Sequence, residues 1–139
     1  MRNVKRLLIS VVDAQRRIRE LLSRREHYRD LATSISGMSE NRIRSTDKRS
    51  RVETAALALV DLSDALGRQA EQLAQNLREA EELLHQLSNA RHSQILSLRY
   101  LEARSWEDIT RVMGYTDIHS AYRTHGHALA ELQKIADRD

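Results

Sequence analysis

Cysteine is missing from this 139-residue chain, which excludes disulfide staples, cysteine-ligated metal sites and a cysteine nucleophile. Its absence fits a reducing compartment. Proline and phenylalanine are missing too, and glycine occurs only four times, so little in the chain interrupts helix propagation. Aromatic residues make up 4% of the sequence, and a core has to be built from Leu, Ile, Val and Ala. Such a core suits helix-helix seams better than a wide globular interior. Long apolar runs are lacking as well: Leu7 to Val12 is broken by Ser10 and stops at Asp13, too short for a membrane span or a signal sequence. The expectation is an all-α protein, soluble and cytoplasmic, with no membrane partner.

What is present is helical periodicity. Val4, Leu7, Val11, Ala14, Ile18, Leu21, Tyr28 and Ala32 recur at spacings of three, four or seven and predict a first helix. Arg25 occupies one position of that stripe, where its stem can lie along the seam while the charge reaches water. From Thr33 to Arg49 the period stops and Ser, Thr, Asn, Asp and Gly37 accumulate, which predicts a loop. Ser50 and Glu53 have the spacing of a capping box and predict the start of a second helix. Its stripe is Val52, Ala56, Leu59, Leu62, Leu66, Ala70, Leu73, Leu77, Ala80, Leu84 and Leu87, enough for a coiled coil or a long hairpin with the first helix.

Ser88 and Asn89 predict a break before a third helix, Ala90 to Glu102, with Ile95, Leu96, Leu98 and Leu101 on its apolar face. Ser105 with Asp108 repeats the capping logic for a helix of about nine residues carrying Trp106, Ile109, Val112 and Met113. Gly114 is the expected left-handed stop, and Thr116 or Asp117 the cap of a last helix carrying Ile118, Ala121, Tyr122, His125, Leu129, Leu132 and Ile135. The expected architecture is therefore a long helical hairpin or coiled coil over residues 1–87, then a three-helix module over 88–139.

Charge divides unevenly among these units. Residues 1–51 carry +8, residues 52–87 carry −5 and residues 88–139 are neutral. A basic helix beside an acidic one favours their pairing and selects its register. The same basic stretch could instead be an arm that touches nucleic acid.

A short helix, a glycine turn and a polar-fronted second helix form the helix-turn-helix pattern, in which a tight turn lets the second helix project its N-terminal half into a major groove. Thr116, Asp117, His119, Ser120, Arg123 and Thr124 lie near the front of that second helix and are the candidate DNA contacts. Arg104 and Arg111 are the candidates to approach phosphates.

The leucine-rich third helix ending in Leu98-Arg-Tyr-Leu, the Ser105-Trp106-Glu107 start and the Gly114-Tyr115-Thr116 turn resemble region 4 of sigma-70-type factors. The string Tyr122-Arg-Thr-His-Gly-His-Ala-Leu129 narrows the resemblance to small phage or prophage proteins related to the ArpU and RinA late-gene transcription regulators. Upstream it extends to Leu31-Ala-Thr-Ser-Ile35, Asp61-Leu62 and the long middle helix. Ala121 and Thr124 depart from it, standing where those proteins more often have larger apolar residues. The resemblance implies transcriptional regulation through double-stranded DNA, in a bacterial host, with RNA polymerase as a possible second contact.

Phosphate neutralisation supplies most of a DNA binder's affinity, and the C-terminal module is neutral as a whole. One copy should bind weakly. A homodimer through the long helices would place two modules on two half-sites. The alternative is a non-catalytic coiled-coil interaction or assembly protein, with little DNA binding of its own.

Six histidines raise a metal reading, but on one helix His119 and His125 differ by about 240° and His125 and His127 by about 200°, so the three share no face. His125 reads as a partly buried packing residue; His27, His85 and His92 read as exposed. No glycine-rich phosphate loop, nucleophile elbow or paired carboxylate is present, and neither an enzyme nor a cofactor is expected.

Overall fold

The computed structural model describes residues 3–36 and 45–138, which are helical apart from short connections and contain no strand. Among the described residues five α-helices follow one another: α1 (Val4–Ser36), α2 (Ser45–His85), α3 (Ala90–Leu96), α4 (Trp106–Val112) and α5 (Ile118–Arg138). A π-helical turn, Ser97–Leu101, continues α3. The fold is all-α, as the composition implies. Two compact units are formed, Met1–Ala14 with Gln72–Asp139, and Gln15–Glu71. The division therefore falls inside both long helices rather than at residue 87, because the first turns of α1 and the last turns of α2 share their buried residues with the short helices.

In the first unit, Asn3 caps α1 by accepting the Arg6 amide at 3.0 Å, and the Gln133 side chain of α5 accepts the Val4 amide at 3.1 Å. Val4, Leu8 and Val11 enter one buried cluster with Ala80, Leu83, Leu84, Leu87, Ile95, Leu96, Ile109 and Leu132. Leu8 is fully buried although it lies off the heptad seam that the spacing picks out, whose Leu7 only packs against the cluster's edge. Three-dimensional covering by more than one helix, not a two-helix seam, decides its burial. At about 1.5–3 kcal/mol per large aliphatic side chain, this cluster is the main stabilising element of the unit.

The second unit is an antiparallel helix pair: Arg17, Leu21 and Arg24 lie beside Ala65, Arg68 and Gln69, while Tyr28, Leu31 and Ser34 lie beside Ser50, Arg51, Thr54 and Ala55. Ala55 is its one fully buried hydrophobic residue among those described. The inward positions of α2 are Val52, Ala55, Leu59, Leu62, Leu66 and Gln69, whereas Ala56 and Ala70 are exposed, contrary to the stripe expected from sequence. A 3.5-residue repeat accounts for this, since it brings Gln69 inward in place of the alanine beside it. Arg25 is half-buried as its stem-in-seam reading requires, and its Nε and the Gln69 Oε1 are shielded from water without a partner.

The expected capping box at Ser50 is not a helix start. α2 already runs from Ser45, and the Ser50 carbonyl accepts the Thr54 hydroxyl at 2.8 Å, an ordinary interior back-bond. Of the expected 33–49 loop, residues 33–36 and 45–49 are helical, and 37–44 lie outside the described residues.

Candidate nucleic-acid interface

The short helices are set by their caps. The Asn89 side chain accepts the amides of Arg91 and His92, starting α3. The π-turn closes with the Glu102 amide on the Ser97 carbonyl at 3.0 Å, and Ala103 then adopts a left-handed backbone, φ 53°. This strain on a non-glycine residue ends the element, and the Arg99 guanidinium donates to the Arg104 carbonyl at 2.9 Å across the turn. Ser105 accepts the Asp108 amide at 3.1 Å and starts α4.

Gly114 ends α4 at φ 74°, with its amide on the Arg111 carbonyl at 3.1 Å and the Tyr115 amide on the Thr110 carbonyl at 2.9 Å. Those two bonds define a Schellman stop, which favours glycine for its left-handed φ. Asp117 then accepts the His119 amide at 2.7 Å and starts α5, so between the two cap choices the structure selects Asp117. Ser105 to Leu132 thus folds as two helices joined by a tight turn.

α5 packs on α3 and on α4. Its buried stripe is Ala121, Ala128, Leu132, Ile135 and Ala136, while Tyr122 is 43% exposed and Leu129 half-buried. Ala121 and Ala128 are both fully buried, and such small residues let helices approach closely. An aromatic cluster fastens the two helices together. The Trp106 ring meets Tyr122 edge-on at 5.0 Å and His125 at 4.9 Å, with the Arg99 guanidinium 4.7 Å over its face. The Tyr100 hydroxyl and His125 Nε2 lie 2.7 Å apart. Burial, with the charges of Lys5 and Arg99 added, holds His125 below the usual imidazole value, and burial pushes Tyr100 up.

The candidate contact residues divide into three groups. His119, Ser120 and Arg123 span about 100° around the helix axis, and Thr116 is exposed just ahead of them. Arg123 donates to the Ser120 hydroxyl at 3.3 Å, and His119 rests edge-on against Tyr122 at 5.9 Å. Thr124 and Asp117 have internal roles: Thr124 bonds the Tyr115 hydroxyl at 2.7 Å and the Ser120 carbonyl at 3.0 Å, and Asp117 is the cap. Arg104 and Arg111 converge on Asp108, the first at 2.8 Å, and Arg104 also reaches Glu102 at 3.2 Å. Hydrogen bonds from both arginines hold the Asp108 carboxyl below the usual carboxylate range, and those to Asp108 and Glu102 push Arg104 up.

Periodicity could not reveal two further tethers, because their partners lie far apart in sequence. Arg91 stacks its guanidinium 4.8 Å over the Tyr115 ring and donates to the Tyr115 hydroxyl at 3.3 Å and the Met113 carbonyl at 3.1 Å. Burial alone would raise Tyr115, yet its hydroxyl falls below the ordinary value through the hydrogen bonds of Thr124 and Arg91 and the charge of Arg91. His92, read from sequence as exposed, is instead half-buried with its Nδ1 against the Glu131 carboxylate of α5.

Among the described residues no group of three or more His, Asp or Glu is placed to hold a metal ion, and no helix is long and apolar enough to cross a membrane. Comparison with family models, with curated proteins and with solved structures yields no match for this chain.

Proposed function

We propose that the chain is a non-catalytic regulator of transcription that binds double-stranded DNA through the outward face of α5, acting on phage or prophage genes in the cytoplasm of a bacterial host. One observation carries this reading: a tight glycine stop delivers a helix that leaves His119 and Arg123 open, with Ser120 half-buried between them and Thr116 exposed just ahead, while the opposite face is anchored by Ala121, His125 and Ala128. Arg123 is the residue of this set suited to a bidentate contact with a guanine edge. Ser120 holds its guanidinium near the face, and His119 and Thr116 reach backbone or base edges. A dimer through the long helices belongs to the same reading, since two modules raise a weak single-site affinity through effective concentration.

The pairing of Arg104 and Arg111 with Asp108 favours the second reading, an interaction protein that includes contact with RNA polymerase, because it withdraws two cations from phosphate binding. Arg123→Ala separates the two. On its operator DNA the variant binds more than tenfold more weakly, a loss of about 1.4 kcal/mol. Unchanged affinity with an unchanged salt slope refutes the DNA reading.

A further inference from the structure

A second basic feature lies in the unit Gln15–Glu71, separate from the residues assigned to the α5 face. Complementary charge on the two long helices would set an acidic residue of α2 opposite the arginines of α1. At one place the reverse is found. Arg17 and Arg24 of α1 and Arg68 of α2 line a single cleft of about 290 Å³, floored by Leu21 and Ala65. Arg68 is one of only two cations in residues 52–87, and it faces like charge.

Of the neighbouring arginines of α1, Arg16, Arg25 and Arg29 are otherwise engaged. Arg16 pairs with Glu20 at 4.0 Å, Arg29 pairs with Glu26 at 3.6 Å, and Arg25 has its stem in the seam. Glu20, the one acid lining the cleft, lies 4.0 Å from Arg16. Arg17, Arg24 and Arg68 are exposed and have no carboxylate within 4.0 Å among the described residues. Three unpaired guanidinium groups around one concavity repel one another and concentrate positive potential there.

We propose that this cleft is a binding site for the phosphates of a nucleic-acid backbone. Arg17 and Arg24 are separated by seven residues, about 10.5 Å along the helix. Each strand of a duplex carries one phosphate per about 3.4 Å of duplex axis, so a span of this length offers more than one phosphate to the pair. Guanidinium forks suit phosphate oxygens bidentately. Such a site carries no sequence information; it adds affinity that the neutral C-terminal module lacks.

The test is the salt dependence of binding by the full chain to duplex DNA, for wild type, the triple variant Arg17→Gln/Arg24→Gln/Arg68→Gln, and the triple Arg→Lys variant. Three lost phosphate contacts flatten the slope of log affinity against log salt by about 2.7, so the fall in affinity between 50 and 200 mM salt becomes about 40-fold smaller. The lysine variant keeps most of the slope, and Arg123→Ala leaves these three contacts in place. Circular dichroism establishes that each variant is folded. An unchanged slope in the glutamine variant overturns the site, as does a wild type that binds neither duplex nor single-stranded DNA at 50 mM salt. Displacement of DNA by polyglutamate at equal charge concentration overturns the nucleic-acid assignment in favour of an acidic protein surface. A flattened slope in the glutamine variant beside an inert Arg123→Ala supports the cleft and removes the α5 reading.

Discussion

Replacing Asp108 by asparagine tests how the pairing of Arg104 and Arg111 limits the α5 module. Asp108 accepts from both guanidinium groups, and these bonds hold its carboxyl below the usual range. Asparagine keeps the shape and the backbone amide that Ser105 caps, but removes the charge that draws both arginines inward. Each cation released to a phosphate steepens the salt slope by about 0.9, so two, with Arg104 also leaving Glu102, steepen it by about 1.8. Between 50 and 200 mM salt, the variant's affinity should therefore fall about tenfold more than that of wild type. Fluorescence anisotropy with labelled duplex across that range measures the difference. The fold is expected to survive, since α4 keeps its cap and the fully buried Ile109. A slope equal to or shallower than that of wild type refutes the reasoning, because it means that neither arginine is within reach of DNA once freed.

Gly114→Ala forces a side chain into φ 74° and should destabilise the chain by about 1–2 kcal/mol in urea titrations, with open space around the new Cβ leaving conformation as the cause. Ser105→Ala should cost about 0.5–2 kcal/mol, whereas Ser50→Ala should change stability by less than about 0.5 kcal/mol, since only the first is a cap. The lowered His125 makes stability fall as pH drops below about 6.5, because the unfolded chain then takes up a proton that the folded one refuses. The raised Tyr100 makes stability fall above about pH 10, where the unfolded phenol ionises first. Denaturation of wild type and His125→Gln at pH 5.5 and 7.5 checks the acid limb: the difference between the two proteins should shrink at the lower pH, and a constant difference contradicts it.

Local chemistry made much of this fold legible. The caps at Asn89 and Ser105 and the glycine stop at 114 depend on residues two to five positions apart, and these stand where spacing put them. The heptad of α1 is likewise local, down to the seam position of Arg25. Ser50 misled because a capping box needs a chain that is not already helical, and α2 starts five residues earlier. Leu8, Ala55 and Ala128 escaped notice because their burial depends on which helix covers them, not on their own period. At the candidate site, the exposed positions His119 and Arg123 and the half-buried Ser120 between them could be named from the helical repeat. That Asp108 captures Arg104 and Arg111, that Tyr115 captures Thr124, and that Arg91 reaches the α4 turn depends on side-chain reach in three dimensions. Opposition of Arg68 to Arg17 and Arg24 needed the register of two helices, which leucine and alanine stripes leave open.

The most direct measurement of the central claim is occupancy in the cell. Immunoprecipitation of the full chain from a bacterial host, followed by sequencing of the DNA retained, should give discrete peaks over a small set of promoters. Those peaks should collapse for Arg123→Ala at equal protein abundance. A flat profile for wild type, or peaks that persist unchanged in the variant, contradicts DNA recognition by the α5 face.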